Sequence, residues 1–89
     1  MTHMGKKDKL INKLKSNPKD FTIEELDTLM RLCNCEIDNA GRTSGSRKKY
    51  VHIGDRHKLI IHTPHPQNII KKYVIDRVIE YLQSEGEIE

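Results

Sequence analysis

With 89 residues the chain has room for one small domain, and a second hydrophobic core is excluded at this size. Aromatic residues make up 4% of it and Trp is absent, so a core must be aliphatic, built from Leu, Ile and Val. No apolar run approaches the ~18 residues that a bilayer span requires, and no signal-peptide pattern is present, so neither membrane insertion nor secretion is expected. The net charge of +3 is a mild excess whose distribution says more than its sum. Between Arg42 and Lys58 there are six basic residues and one acid, whereas Glu80 to Glu89 carries four acids and no base. A basic segment followed by a solvating acidic tail points to a polyanion-facing surface, although a merely solvated charged face would give the same pattern.

In chain order, Met1-Thr2-His3-Met4-Gly5 resembles a cloning remnant, and residues 1–5 are set aside. From Lys6 to Ser16, Leu10, Ile11 and Leu14 give the narrow apolar stripe of a short helix, ended by Asn17-Pro18. Thr22 reads as an N-cap, with Glu25 three residues on completing a capping box and Phe21 placed as a hydrophobic staple. The helix that follows carries Leu26, Leu29, Met30 and Cys33 on one face and is expected to run to about Asn34. Glu36-Ile37-Asp38 reads as a short strand, and residues 39–46, with two glycines and small polar side chains, as a loop. Lys48 to Ile53 and Leu59-Ile60-Ile61 read as strands joined by a turn at Gly54-Asp55-Arg56-His57. A last helix over Lys72 to Ser84 shows a broad apolar face through Val74, Ile75, Val78, Ile79, Tyr81 and Leu82, with Gly86 as its stop.

This order predicts an α+β fold in which a three-stranded antiparallel sheet carries helices on one face and leaves the other open. The arrangement is α-β-β-β-α, like a double-stranded-RNA-binding domain, plus a short N-terminal helix. The expected organisation is a helix and linker over residues 6–20, a main domain over 21–86 and an acidic tail at 87–89. Cys33 and Cys35 have one residue between them, too short a gap for an unstrained bridge. They read as reduced, partly buried thiols at a helix end, which implies a cytoplasmic protein. Two such ligands are too few for a structural zinc site unless histidines join them, so neither a metal nor a cofactor is expected, and a zinc-binding adaptor is the least favoured reading.

The most distinctive segment is Ile61-His62-Thr63-Pro64-His65-Pro66. Each proline fixes its own φ and pushes the residue before it toward extended backbone, so the two histidines are carried on a stiff chain. A rigid strand-to-helix connector with exposed histidines accounts for the same residues. Upstream, Arg42, Arg47, Lys48 and Lys49 flank a Gly/Ser loop whose amides, Ser46 included, are placed to approach phosphate. Taken together, Ser44-Gly45-Ser46-Arg47-Lys48-Lys49-Tyr50, the Pro64-His65-Pro66 element and the helix ending Leu82-Gln83-Ser84-Glu85-Gly86 resemble the HicA toxin family. Pro18 to Leu26 looks like the start of that family's first main helix in one of its branches, so the resemblance covers about residues 17–86.

The resemblance implies a type II toxin that cleaves mRNA and is held in check by a HicB-like antitoxin. It departs at one position. Many family members place the histidine thought to carry catalysis directly after Gly-Ser, and here that position is Arg47. Metal-independent RNA cleavage needs a base for the 2′-hydroxyl proton, an acid for the leaving 5′-oxygen and cationic groups around the phosphorane-like transition state. His62 is the first choice for proton transfer and His65 the second, with Arg47 suited to the transition-state charge through its planar fork. His52 and His57 read as surface residues, and Tyr50 and Tyr81 as core or core-edge residues with hydroxyls in water. A non-catalytic RNA-binding module of the same fold is the alternative.

Overall fold

A computed structural model of the chain describes residues 5–38, 47–62 and 68–89. The elements run α1 (Lys6–Lys15), α2 (Ile23–Leu32), β1 (Cys35–Asp38), β2 (Arg47–His52), β3 (Lys58–His62) and α3 (Lys72–Ser84). The three strands form one antiparallel sheet in the order β1-β2-β3, and the fold is α+β. Each element falls within a residue or two of its expected bounds.

The capping box starts α2 as expected. The Thr22 hydroxyl accepts the Glu25 amide at 3.1 Å, and the Glu25 carboxylate accepts the Thr22 amide at 2.9 Å, which satisfies two backbone donors at the helix start. Lys13 of α1 bonds the same carboxylate at 2.9 Å and lies over the Phe21 ring, so the box also fastens α1 to α2. At the other end, Asn34 adopts a left-handed φ of 63°, closing α2 at Leu32 and turning the chain into β1. Ile53 leaves the β ladder because its amide bonds instead to the Asn34 carbonyl at 2.8 Å. The turn between β2 and β3 is closed by two bonds, His52 amide to His57 carbonyl and Arg56 amide to His52 carbonyl, with Arg56 left-handed.

The core is mainly aliphatic, as the composition requires, although Tyr50 and Phe21 are its largest fully buried side chains. Leu10 and Leu14 of α1, Phe21, Leu26, Leu29 and Met30, the sheet residues Cys35, Tyr50, Leu59 and Ile61, and Val74, Ile75, Val78 and Leu82 of α3 form one buried cluster. The segments ahead of α2 and α3 are clipped together by Ile23 amide to Asn68 carbonyl and Ile70 amide to Phe21 carbonyl, both at 2.8 Å. That clip fixes where the connection from β3 arrives at α3.

The expectation of wet tyrosine hydroxyls is corrected. The Tyr50 hydroxyl donates to Asp27 at 2.7 Å and the Tyr81 hydroxyl to the His57 carbonyl at 2.6 Å, because a buried hydroxyl without a partner is costly. The acidic C-terminus is likewise packed against the fold: Ile88 is buried, Glu87 bonds Asn34 and Lys7, and the Glu89 carbonyl accepts Lys15.

Two outcomes follow for the cap. Thr22→Ala should cost about 1 kcal/mol, read as a lower urea midpoint with an unchanged slope. Partial burial works against the Glu25 carboxylate, but the bonds from Lys13 and Thr22 outweigh it and hold its pKa below the usual 4.5. A depressed folded-state pKa stabilises the fold above the usual value, and that stability is lost as pH falls through the folded-state value. Urea midpoints measured at falling pH below about 4.5 should therefore drop more steeply for the wild type than for Glu25→Gln.

Candidate functional site

Side chains alternate across a strand, and β2 makes the two faces of this sheet chemically different. Lys48, Tyr50 and His52 point toward the helices. Tyr50 and Lys48 both bond Asp27 of α2, and that pair of contacts orients the strand. Arg47, Lys49 and Val51 therefore take the opposite face, joined there by Lys58, Ile60 and His62 of β3 and by Glu36 and Asp38 of β1. Ile60 is 42% exposed, as befits a face that no described helix covers, while Val51 is buried but lies outside the core cluster.

The register brings two of the expected site residues directly together. Arg47 and His62 are cross-strand partners, both exposed. Partners of this kind have Cβ atoms about 4.5–5.5 Å apart, close enough for a guanidinium and an imidazole to meet one phosphodiester. Among the described residues neither side chain has a hydrogen-bond or ion-pair partner, so both are available to a ligand. Lys49 lies one step further along the same face and pairs with Asp38 at 3.4 Å. Lys58 extends the positive stripe, while Glu36 and Asp38 make the β1 side of the face acidic, with Arg56 against Glu36 at 3.5 Å.

Lys48 is placed apart from this group. It is turned to the helix side, in an ion pair with Asp27. Arg42, Ser46 and His65 lie outside the described residues. Lys58 and Ile60 were not singled out from the sequence, although the β3 alternation of Lys58, Ile60 and His62 with buried Leu59 and Ile61 carried the signal.

His57 is the surface residue expected of it, whereas His52 is not. The His52 side chain is 13% exposed and lies between carboxylates, with Nε2 2.8 Å from Glu87 and Nδ1 3.1 Å from Glu85. The bond to Glu87 is the main reason its pKa is raised, against a smaller cost of burial. His57 is exposed, and its Nδ1 lies 2.6 Å from the second Glu85 oxygen. No local pattern announces this cluster, because its members come from β2, the following turn and the end of α3.

The cysteines are free and buried. Cys35 sulfur meets the Cys33 carbonyl at 3.6 Å and the Tyr81 hydroxyl at 4.0 Å, and burial pushes both thiols up to about 11, which leaves them inert as nucleophiles. No described histidine joins them. No described helix is long and apolar enough to cross a membrane.

Comparison with protein-family models, curated proteins and solved structures returns no match, so the residues themselves carry the functional argument.

The Asp27 contacts can be tested directly. Asp27→Ala leaves the buried Tyr50 hydroxyl without its acceptor and should cost about 1–3 kcal/mol in chemical denaturation. Lys48→Ala should also lower stability, whereas Arg47→Ala, on the open face, should leave the unfolding midpoint near wild type.

Proposed function

We propose that the chain is a HicA-like endoribonuclease toxin that cleaves mRNA without a metal and is neutralised by a HicB-like antitoxin in the cytoplasm. The observation that carries the reading is the pairing of Arg47 with His62 on the solvent face of β2 and β3. It supports the shift of the imidazole from the position after Gly-Ser, where Arg47 stands, to the neighbouring strand. The resemblance in the Gly45-Ser46 and Pro64-His65-Pro66 elements, the α-β-β-β-α order shared with double-stranded-RNA-binding domains and the two reduced thiols are consistent with it.

On this reading the neutral His62 imidazole takes the 2′-hydroxyl proton. The 2′-oxygen attacks the adjacent phosphorus, the bond to the 5′-oxygen breaks, and the leaving oxygen is protonated by a second group, for which His65 is the candidate. Arg47 binds the phosphate oxygens and is worth most when their charge peaks in the transition state. Lys49 and Lys58 hold the flanking backbone, and Ser46 and Arg42 are further candidates for phosphate contact. The antitoxin would present an acidic surface to this stripe.

The competing reading, a non-catalytic RNA-binding module, draws on the same Arg47: the usual motif histidine is replaced, and the described open face has one imidazole. Expression without the antitoxin should arrest growth through mRNA cleavage that persists in EDTA. His62→Ala should abolish cleavage with the fold intact, since positioned proton transfer is worth roughly 10²–10⁴ in rate. Arg47→Ala should lose much of the rate with a modest loss of RNA affinity. RNA left intact by purified wild type, bound with a log K against log salt slope of roughly −2 to −3, would favour the binding module.

A further inference from the structure

We propose that His52, Asp55 and Glu85 form a binding site for one borderline divalent cation, with Zn²⁺ as the best fit. Among the described residues these three are the one group of His, Cys, Asp and Glu donors whose ligand atoms all lie within 4.8 Å of one another. His52 Nδ1 is 3.1 Å from Glu85 Oε1 and 3.5 Å from Asp55 Oδ1. A tetrahedral centre with bonds of about 2.0–2.2 Å to imidazole nitrogen and carboxylate oxygen has donor-to-donor edges of roughly 3.3–3.5 Å. His52 Nδ1 is thus already spaced from both carboxylates about as a tetrahedral centre requires.

The surroundings match what such a site needs beyond its ligands. His52 Nε2 is 2.8 Å from Glu87, the carboxylate–histidine pairing that directs the other ring nitrogen at a metal and raises its basicity. Glu87 is itself held by Lys7 and Asn34. The second Glu85 oxygen is taken by His57 at 2.6 Å, which leaves Oε1 as a single donor facing His52. The Glu85 side chain is 4% exposed, a nearly buried carboxylate, whereas Asp55 is 61% exposed and opens the site to solvent. Two carboxylates and a neutral imidazole carry two negative charges, which a divalent cation cancels. With Nδ1 unprotonated, its lone pair faces two carboxylate oxygens and is met only by the Gly54 amide at 3.2 Å, a contact a cation would replace. The nitrogen donor and the small number of oxygens disfavour Mg²⁺ and Ca²⁺.

The site lies at the opposite end of β2 from Arg47, on the opposite sheet face, roughly 16 Å along the strand. It would staple the β2–β3 turn to the end of α3, a structural and not a catalytic role.

The test is calorimetric titration of the chelator-stripped full chain with Zn²⁺, with Co²⁺ absorption to report tetrahedral geometry and Mg²⁺ as the control. One equivalent of Zn²⁺ should bind and raise Tm, and Mg²⁺ should do neither. His52→Ala and Glu85→Gln should abolish binding, and Glu87→Gln should weaken it 10–100-fold. Asp55→Asn, which keeps a side-chain oxygen for the His57 amide that Asp55 accepts at 3.0 Å, should also weaken it at least tenfold. Absence of heat and of any Tm change with excess Zn²⁺ would overturn the proposal and leave a proton on His52 as the occupant. Binding unchanged by Asp55→Asn and His52→Ala would overturn it equally.

Discussion

Asp27 accepts bonds from both Tyr50 and Lys48, and through them α2 dictates which way the central strand faces. A strand has two faces and a period of two, so a slip of one residue would exchange every inward and outward side chain. Here the buried phenol sets the register: Tyr50 must lie inside, and its hydroxyl needs an acceptor there. Arg47 and Lys49 are then outward by necessity, and the antiparallel ladder carries His62 across to Arg47. The candidate site thus follows from a core contact in which none of its own residues take part.

The same alternation separates two kinds of charge. Outward-facing Arg47, Lys58 and the His62 imidazole have no side-chain bond among the described residues and Lys49 pairs with Asp38, so this face is open to a ligand. Inward-facing Lys48 and His52 are committed to carboxylates, Lys48 to Asp27 and His52 to Glu85 and Glu87. The cluster at the far end of β2 ties the C-terminus, the β2–β3 turn and α1 together, since Lys7 and Asn34 share Glu87. One strand therefore carries the candidate binding surface at one end and an anchoring network at the other.

Much of the fold was legible in the sequence because its signals are local. The Thr22–Glu25 spacing, the apolar period of the last helix and the turn residues at Gly54-Asp55 each need only a few neighbours to be read. The Arg47–His62 pairing was legible at the level of neighbouring strands, since each residue directly adjoins a predicted strand. What the sequence hid depends on which face a residue takes or on contacts between distant segments. Lys48 is indistinguishable from Lys49 in composition, and only the Tyr50–Asp27 contact decides that it turns inward. His52 is more than thirty positions from both Glu85 and Glu87, so composition alone made them a surface histidine and a solvated acidic tail.

The central claim is that the face carrying Arg47 and His62 meets RNA. The most direct measurement is amide and side-chain NMR shift mapping with a short RNA whose 2′-hydroxyls are replaced, so that it binds without being cut. The account predicts shifts concentrated on Arg47, Lys49, Lys58, Ile60 and His62, with α1 and α2 unmoved. Shifts confined to the helices, with Arg47 and His62 unchanged, would contradict it.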